Sequence, residues 1–202
     1  MRTLTRRMAA LSIVAALSLA GCSSSDGSDG GDTPNADETA ATTPAPEVDA
    51  AGGDTIEGTG YTYVVPEGWA VPSQTVPGTE QTDTFAADLT DSDGFSDNVN
   101  VIRLDPAPIE DIDKLEGALV DELEGAGSKD VTTRGRADVD GEEAIHIASG
   151  QEQRGATYLT EQYNAIHDGV SYVITFSFSD SVSEADRDSL AQSVLTTWKW
   201  SS

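Results

Sequence analysis

The stretch YLTEQYNAIHDGVSYVITFSF, from Tyr158 to Phe178, decides the fold. Two runs rich in β-branched and aromatic residues flank Asp168-Gly169, and a D-G pair suits a type I′ turn because both central residues of that turn need positive φ. With a two-residue loop, paired positions sum to 337, which sets Ala165 opposite Tyr172, Tyr163 opposite Ile174, Glu161 opposite Phe176 and Leu159 opposite Phe178. All of these share one face. The alternate face pairs Ile166 with Ser171, Asn164 with Val173, Gln162 with Thr175 and Thr160 with Ser177, and it is far more polar. One sheet face should therefore be covered fully and the other only in part.

Working outward, a second D-G pair stands at Asp140-Gly141. A two-residue loop there would put Arg134 and Arg136 on the same face as Ile145 and Ile147, so the spacing predicts a longer turn or a bulge. Tyr61, Tyr63 and Val65 alternate with Thr62 and Val64 before Pro66-Glu67-Gly68 and Trp69, a strand and then a turn. Further strands are expected over Thr82–Leu89 and Asn98–Leu104.

Ile112, Leu115, Leu119 and Leu123 recur at helical spacing with Val120 beside them, and Gly125 and Gly127 supply stop signals, which predicts a helix over Ile109–Ala126. A second helix is expected over Ser183–Thr197, where Ser181 and Glu184 form an S-x-x-E capping box ahead of Leu190, Val194 and Trp198. The order β-β-β-α-β-β-β-β-α, dominated by hairpins, argues for an α+β fold: an antiparallel sheet of about six or seven strands packed by two main helices.

The first residues carry an address. Arg2, Arg6 and Arg7 precede the 13-residue run MAALSIVAALSLA, Met8 to Ala20, which is too short to span a hydrocarbon core about 30 Å thick. It reads as the apolar part of a signal peptide over residues 1–21. The run ends in Leu19-Ala20-Gly21-Cys22, which resembles the bacterial lipoprotein signal. That resemblance implies cleavage between Gly21 and Cys22, a diacylglycerol thioether on the Cys22 sulfur, and anchoring on the outer face of the bacterial cytoplasmic membrane. The alternative is a spare Cys in an ordinary signal peptide cut elsewhere, but the single Cys of the chain stands at the one place the lipobox requires.

Residues 22–55 form the lipid-bearing N-terminus and an acidic stretch whose part from Ser23 onward has no Lys, Arg or aromatic residue and only Val48 as a large aliphatic. Nothing there offsets the entropy of ordering, so a disordered tether is expected up to a domain over residues 56–202. Past residue 55 the chain holds 8 basic and 28 acidic residues, a net charge of −20. Nucleic acid is excluded as a partner by that charge. One Cys excludes an internal disulfide.

Tyr61–Trp69 (YTYVVPEGW), the Val139–Ala144 turn, the Tyr158–Phe178 hairpin and the final helix ending Trp198-Lys199-Trp200 together resemble the PsbP-like superfamily, which includes the extrinsic P subunit of photosystem II and actinobacterial LpqN-type lipoproteins. The resemblance spans nearly all of residues 60–200. It implies an α/β/α sandwich around an antiparallel sheet, and accessory or binding roles rather than a shared chemistry.

Motifs for catalysis are missing. Gly94-Phe95-Ser96-Asp97-Asn98 lacks the second Gly of a nucleophile elbow, and Gly58-Thr59-Gly60 meets Tyr63 where a dinucleotide loop wants its third Gly. The acidic stretch Asp88 to Asp97 invites a calcium reading, but with Gly94 at loop position six an EF-hand would begin at Leu89 and end at Asn100. A solvated loop is expected.

His146 falls on the face opposite Ile145 and Ile147, and His167 adjoins the Asp168 turn. Neither has a Cys or second His at ligand spacing, so no metal and no cofactor is expected. Glu161 shares the apolar hairpin face, which would raise its pKa unless a basic or polar group pairs with it. A structural ion pair is expected there, and Trp69, Trp198 and Trp200 are expected as anchors at the core or its edge. These readings describe a lipid-anchored, extracytoplasmic, monomeric, non-catalytic module that binds an envelope protein or ligand. The alternative is an envelope hydrolase acting on glycans or esters through an Asp/Glu pair, for which two carboxylates about 5 or about 6.5–9.5 Å apart in a cleft would speak.

Overall fold

The computed structural model describes residues 48–92, 94–153 and 155–201. Gly21 and Cys22, the expected cleavage and lipidation residues, lie outside the described residues. The elements run β1 (Thr55–Gly58), β2 (Tyr61–Val64), β3 (Trp69–Ala70), β4 (Thr84–Asp88), β5 (Asn98–Leu104), α1 (Ile112–Ala126), β6 (Lys129–Val139), β7 (Glu142–Gln153), β8 (Ala156–His167), β9 (Val170–Ser179), α2 (Glu184–Leu195) and β10 (Lys199–Trp200). Seven strands form one antiparallel sheet in the order β3-β4-β5-β9-β8-β7-β6, and a second sheet of three strands runs β1-β2-β10. The fold is α+β, with two helices on opposite faces of the large sheet.

The central hairpin has the expected register, with Ala165 opposite Tyr172, Tyr163 opposite Ile174, Glu161 opposite Phe176 and Leu159 opposite Phe178. Asp168 and Gly169 take φ of 49° and 75°, the left-handed values a type I′ turn demands. Period-two alternation then sends Tyr163, Tyr172, Ile174, Phe176 and Phe178 into the main core with Ala191, Val194 and Leu195 of α2. Trp198 stacks there on Tyr61, with ring centroids 4.5 Å apart, and on Tyr63 at 5.3 Å. On the opposite face Ile145 and Ile147 make a smaller core with Leu115 and Leu119 of α1. On that side Gln162, Val173 and Thr175 are half-buried, but Thr160, Asn164, Ser171 and Ser177 are buried, so the polar face is covered more fully than expected.

The Asp140-Gly141 loop has two residues, not more, since Val139 pairs with Glu142. The expected bulge is present further along β6. Pairing shifts between Thr133 and Gly135, where Gly135 takes a φ of 90° that an L side chain rarely adopts. The extra residue separates the two arginines. Arg136 stays opposite Ile145 and meets Asp113 and Glu116 of α1, while Arg134 meets Glu184 of α2.

Several boundaries differ from expectation. Helix α1 begins at Ile112 because Asp111, in an extended conformation, accepts from the Lys114 N–H and caps it, after two prolines have kept the chain irregular. The capping residue of α2 is Ser183, which accepts from the Asp186 N–H, rather than Ser181. Ser181 instead hydrogen-bonds to Ser179. Helix α2 stops at Leu195 and not Thr197, and Lys199–Trp200 leave the helix altogether to pair with Thr62 and Tyr61. The ordered domain also starts before residue 56. Ala51 donates to the Ser193 carbonyl, Gly53 donates to Val65, and Thr55 already pairs with Val64, so backbone hydrogen bonds substitute for the apolar side chains this segment lacks.

Candidate functional site

Three elements converge at the N-terminal half of α2. His146 on β7 and Glu161 on β8 project from the same sheet face, beside Tyr163, and α2 lays Arg187 and Asp188 across them. Strand β6 adds Arg134, delivered to this face by its bulge.

Glu161 is 0% exposed and both its oxygens are engaged. Oε1 accepts from Arg187 Nε at 2.9 Å, with Arg134 Nη2 at 4.0 Å, and Oε2 lies 2.8 Å from His146 Nε2. Burial by itself pushes this carboxyl up, but the hydrogen bonds from His146 and Arg187 outweigh it and hold Glu161 below the ordinary carboxylate range. The ion pair expected from sequence is therefore present, and Arg187 also donates to the Val182 carbonyl.

Asp188 behaves in the opposite way. Its Oδ2 is 3.8 Å from Arg134 Nη1, while Oδ1 is buried without a hydrogen-bond partner. Burial and the neighbouring Glu161 charge push its pKa up. Tyr163, also 0% exposed, stacks on His146 with ring centroids 4.1 Å apart. Gln192 lies beside the Tyr163 hydroxyl, but no hydrogen bond of normal geometry forms. Burial, then the Glu161 charge, raises the Tyr163 pKa far above that of a free phenol.

A cleft of about 960 Å³ opens onto this cluster. Arg134, His146, Tyr163, Asp186, Asp188 and Gln192 line it, and Val48 and Asp49 form part of its rim. Ligand atoms of His146, Glu161 and Asp188 lie within 4.8 Å of one another.

Other residues singled out from sequence are placed elsewhere. His167 stacks on Trp200 at 4.5 Å, and its Nδ1 is 2.8 Å from Glu142 Oε1, so it fastens the C-terminal strand to the sheet. Trp69 and Trp198 are core residues, and Trp200 sits at the core edge with its indole N–H on the Val139 carbonyl. In the acidic stretch, Asp88 Oδ1 accepts from the Thr90 N–H and holds the local turn, while Asp97 Oδ1 accepts from the Ser179 N–H and ties the loop to the end of β9. Asp93 lies outside the described residues. The sequence reading does not single out Arg134, Arg187, Asp188 and Tyr163 as site residues; they come to the cluster from β6, α2 and β8 and share no motif.

No family model matches the chain, and no curated protein resembles it significantly in sequence. Solved structures do resemble it. The crystal structure of LpqN, described as involved in cell envelope biogenesis of Mycobacterium tuberculosis, aligns with a TM-score of 0.50 at 14% identity, over 70% of this chain and 83% of that one. The fold is shared with LpqN. The solution structure of the cyanobacterial PsbP, CyanoP, from Synechocystis sp. PCC 6803 aligns at 0.48 and 16% identity, over 70% of this chain and 87% of that one. A crystal structure from Bacteroides thetaiotaomicron aligns at 0.48 and 10% identity over 74% of this chain, which spans about half of that protein's length, 49%. Among the described residues no helix is long and apolar enough to cross a membrane.

Proposed function

We propose that this protein is a lipid-anchored accessory module of a bacterial envelope, held outside the cytoplasmic membrane through Cys22, and that it binds an envelope component in the cleft beside α2. The observation that carries the binding role is the cleft itself, where buried polar atoms of Asp188 and Tyr163 stand without internal partners. Folding leaves such atoms unmatched at a cost of about 1–3 kcal/mol each, a cost that a ligand can relieve. The lipobox, the acidic tether and a fold shared with an LpqN involved in cell envelope biogenesis support the location.

The hydrolase reading has one observation in its favour, since oxygens of Glu161 and Asp188 lie within 4.8 Å, near the carboxyl spacing of retaining glycosidases, about 5–5.5 Å. Against it, Glu161 is enclosed and spends one oxygen on Arg187 and the other on His146, so neither is open to a reacting carbon.

Two measurements test the proposal. A photo-crosslinking residue at Gln192, in the cleft, should yield a discrete adduct in intact envelopes, while one at exposed Glu122 on α1 should not. Equal labelling from both sites removes the cleft as the working surface. Cys22→Ser should shift the protein out of the detergent phase, and unchanged partitioning removes the anchor.

A further inference from the structure

In this cluster the guanidinium groups approach one oxygen of each carboxylate. Arg187 and Arg134 both approach Glu161 at Oε1, and Arg134 approaches Asp188 at Oδ2. The other oxygen of each carboxylate accepts no hydrogen bond from an arginine. Glu161 Oε2 faces His146 Nε2 at 2.8 Å, and Asp188 Oδ1 has no partner. Arginines on the far oxygens are the arrangement by which outer-shell partners orient metal-binding carboxylates.

We propose that His146, Glu161 and Asp188 form a binding site for a divalent transition cation of the zinc class. One imidazole nitrogen and two carboxylate oxygens suit zinc and its first-row neighbours better than calcium or magnesium, which prefer all-oxygen shells. At metal–ligand distances of about 2.0–2.2 Å, tetrahedral ligand atoms stand roughly 3.3 Å apart. His146 Nε2 and Glu161 Oε2 need to part by only a fraction of an ångström from their 2.8 Å contact. Asp188 has further to move, but its side chain is 40% exposed and can rotate toward the pair.

Tyr163 supplies an independent observation. Its hydroxyl is wholly buried, lacks a partner, and belongs to a ring stacked face to face on His146. An ion carrying a bound water is one occupant small enough to satisfy it. Charge also allows a cation here despite the arginines, because Asp49, Glu161, Glu184, Asp186 and Asp188 at or beside the cleft outnumber Arg134 and Arg187.

The test is equilibrium dialysis of the full chain in detergent against Zn²⁺ alone, with Cys22→Ser as background so that no thiol competes. One Zn²⁺ per chain is expected, undisturbed by excess Mg²⁺. Asp188→Asn and His146→Gln should each weaken it about tenfold or more, and His167→Gln should not. Asp188→Asn is the deciding variant, because its partly exposed position on α2 spares the fold, which circular dichroism checks. Absence of Zn²⁺ binding, affinity that survives Asp188→Asn, or loss with His167→Gln alone each overturns the site. None of these outcomes bears on anchoring or on the crosslinks from Gln192.

Discussion

The two faces of the large sheet are made by alternate residues of the same strands, yet they are built on different principles. The α2 face combines a large aromatic core, with Tyr61, Tyr163, Phe176, Phe178 and Trp198 fully enclosed, and a buried charged cluster around Glu161. The α1 face relies on four buried aliphatic residues, Leu115, Leu119, Ile145 and Ile147, with its charges at the margin, where Arg136 meets Asp113, Glu116 and Glu143. Ion pairs at the margin add at most about 1 kcal/mol each, whereas a buried charge must be matched or the fold suffers. Stability and chemical potential are therefore concentrated on one side.

That contrast breaks if the two faces respond alike to truncation. Phe176→Ala should cost about 3–5 kcal/mol in urea unfolding, while Leu119→Ala, at the edge of the small core, should fall near the low end of its class, about 2 kcal/mol. Equal losses would mean the α1 core carries as much as the aromatic one.

Charge removal should show the same asymmetry. Arg187→Ala strands Glu161 in the core and should cost about 3–5 kcal/mol, while Arg136→Ala, partnered only near solvent, should cost about 1 kcal/mol or less. Matched values would show that Glu161 finds another partner when Arg187 is lost.

The pH dependence sharpens the point. Because the folded state holds Glu161 below its ordinary pKa, its contribution is present above that ordinary value and is lost as pH falls through the folded one. Asp188, shifted upward, has the opposite sign: its protonation favours the fold on acidification. The stability gap between the native chain and Glu161→Gln should therefore be wide at neutral pH and narrow as pH falls below the ordinary carboxylate range. A constant gap would detach the acid sensitivity from this residue.

A smaller effect is expected at the turn that fixes the register of both faces. Gly169→Val places a β-branched residue at a φ of 75° and should cost at least about 1 kcal/mol. The smallest concerns the segment before β1. Starting the chain at Ile56 instead of Val48 removes the hydrogen bonds of Ala51 and Gly53 and should lower Tm by a few degrees. An unchanged Tm would restore the boundary read from composition.

Local chemistry made much of this fold legible. A D-G turn dictates positive φ at two adjacent residues, a two-residue loop dictates register, and register with period two dictates which residues face the core, so Tyr163, Ile174 and Phe176 were placed from sequence. The same reasoning located Glu161 on an apolar face and required a partner for it. It could not name Arg187, because α2 meets β8 only after the chain has folded, and the helical pattern of α2 presents that arginine as one polar residue among several.

Arg134 shows the limit most plainly. Strict alternation assigns it to the face of Ile145 and Ile147, and only the Gly135 bulge turns it toward α2, where it completes the cleft. Trp200 likewise reads as the end of a helix until the β1-β2-β10 sheet offers it backbone partners. The sequence by itself determined the elements whose hydrogen bonds are local and the hairpin register. Tertiary structure alone decided which charges meet in the buried site, because those encounters join residues from β6, β7, β8 and α2 through space, and no short-range rule links their positions along the chain.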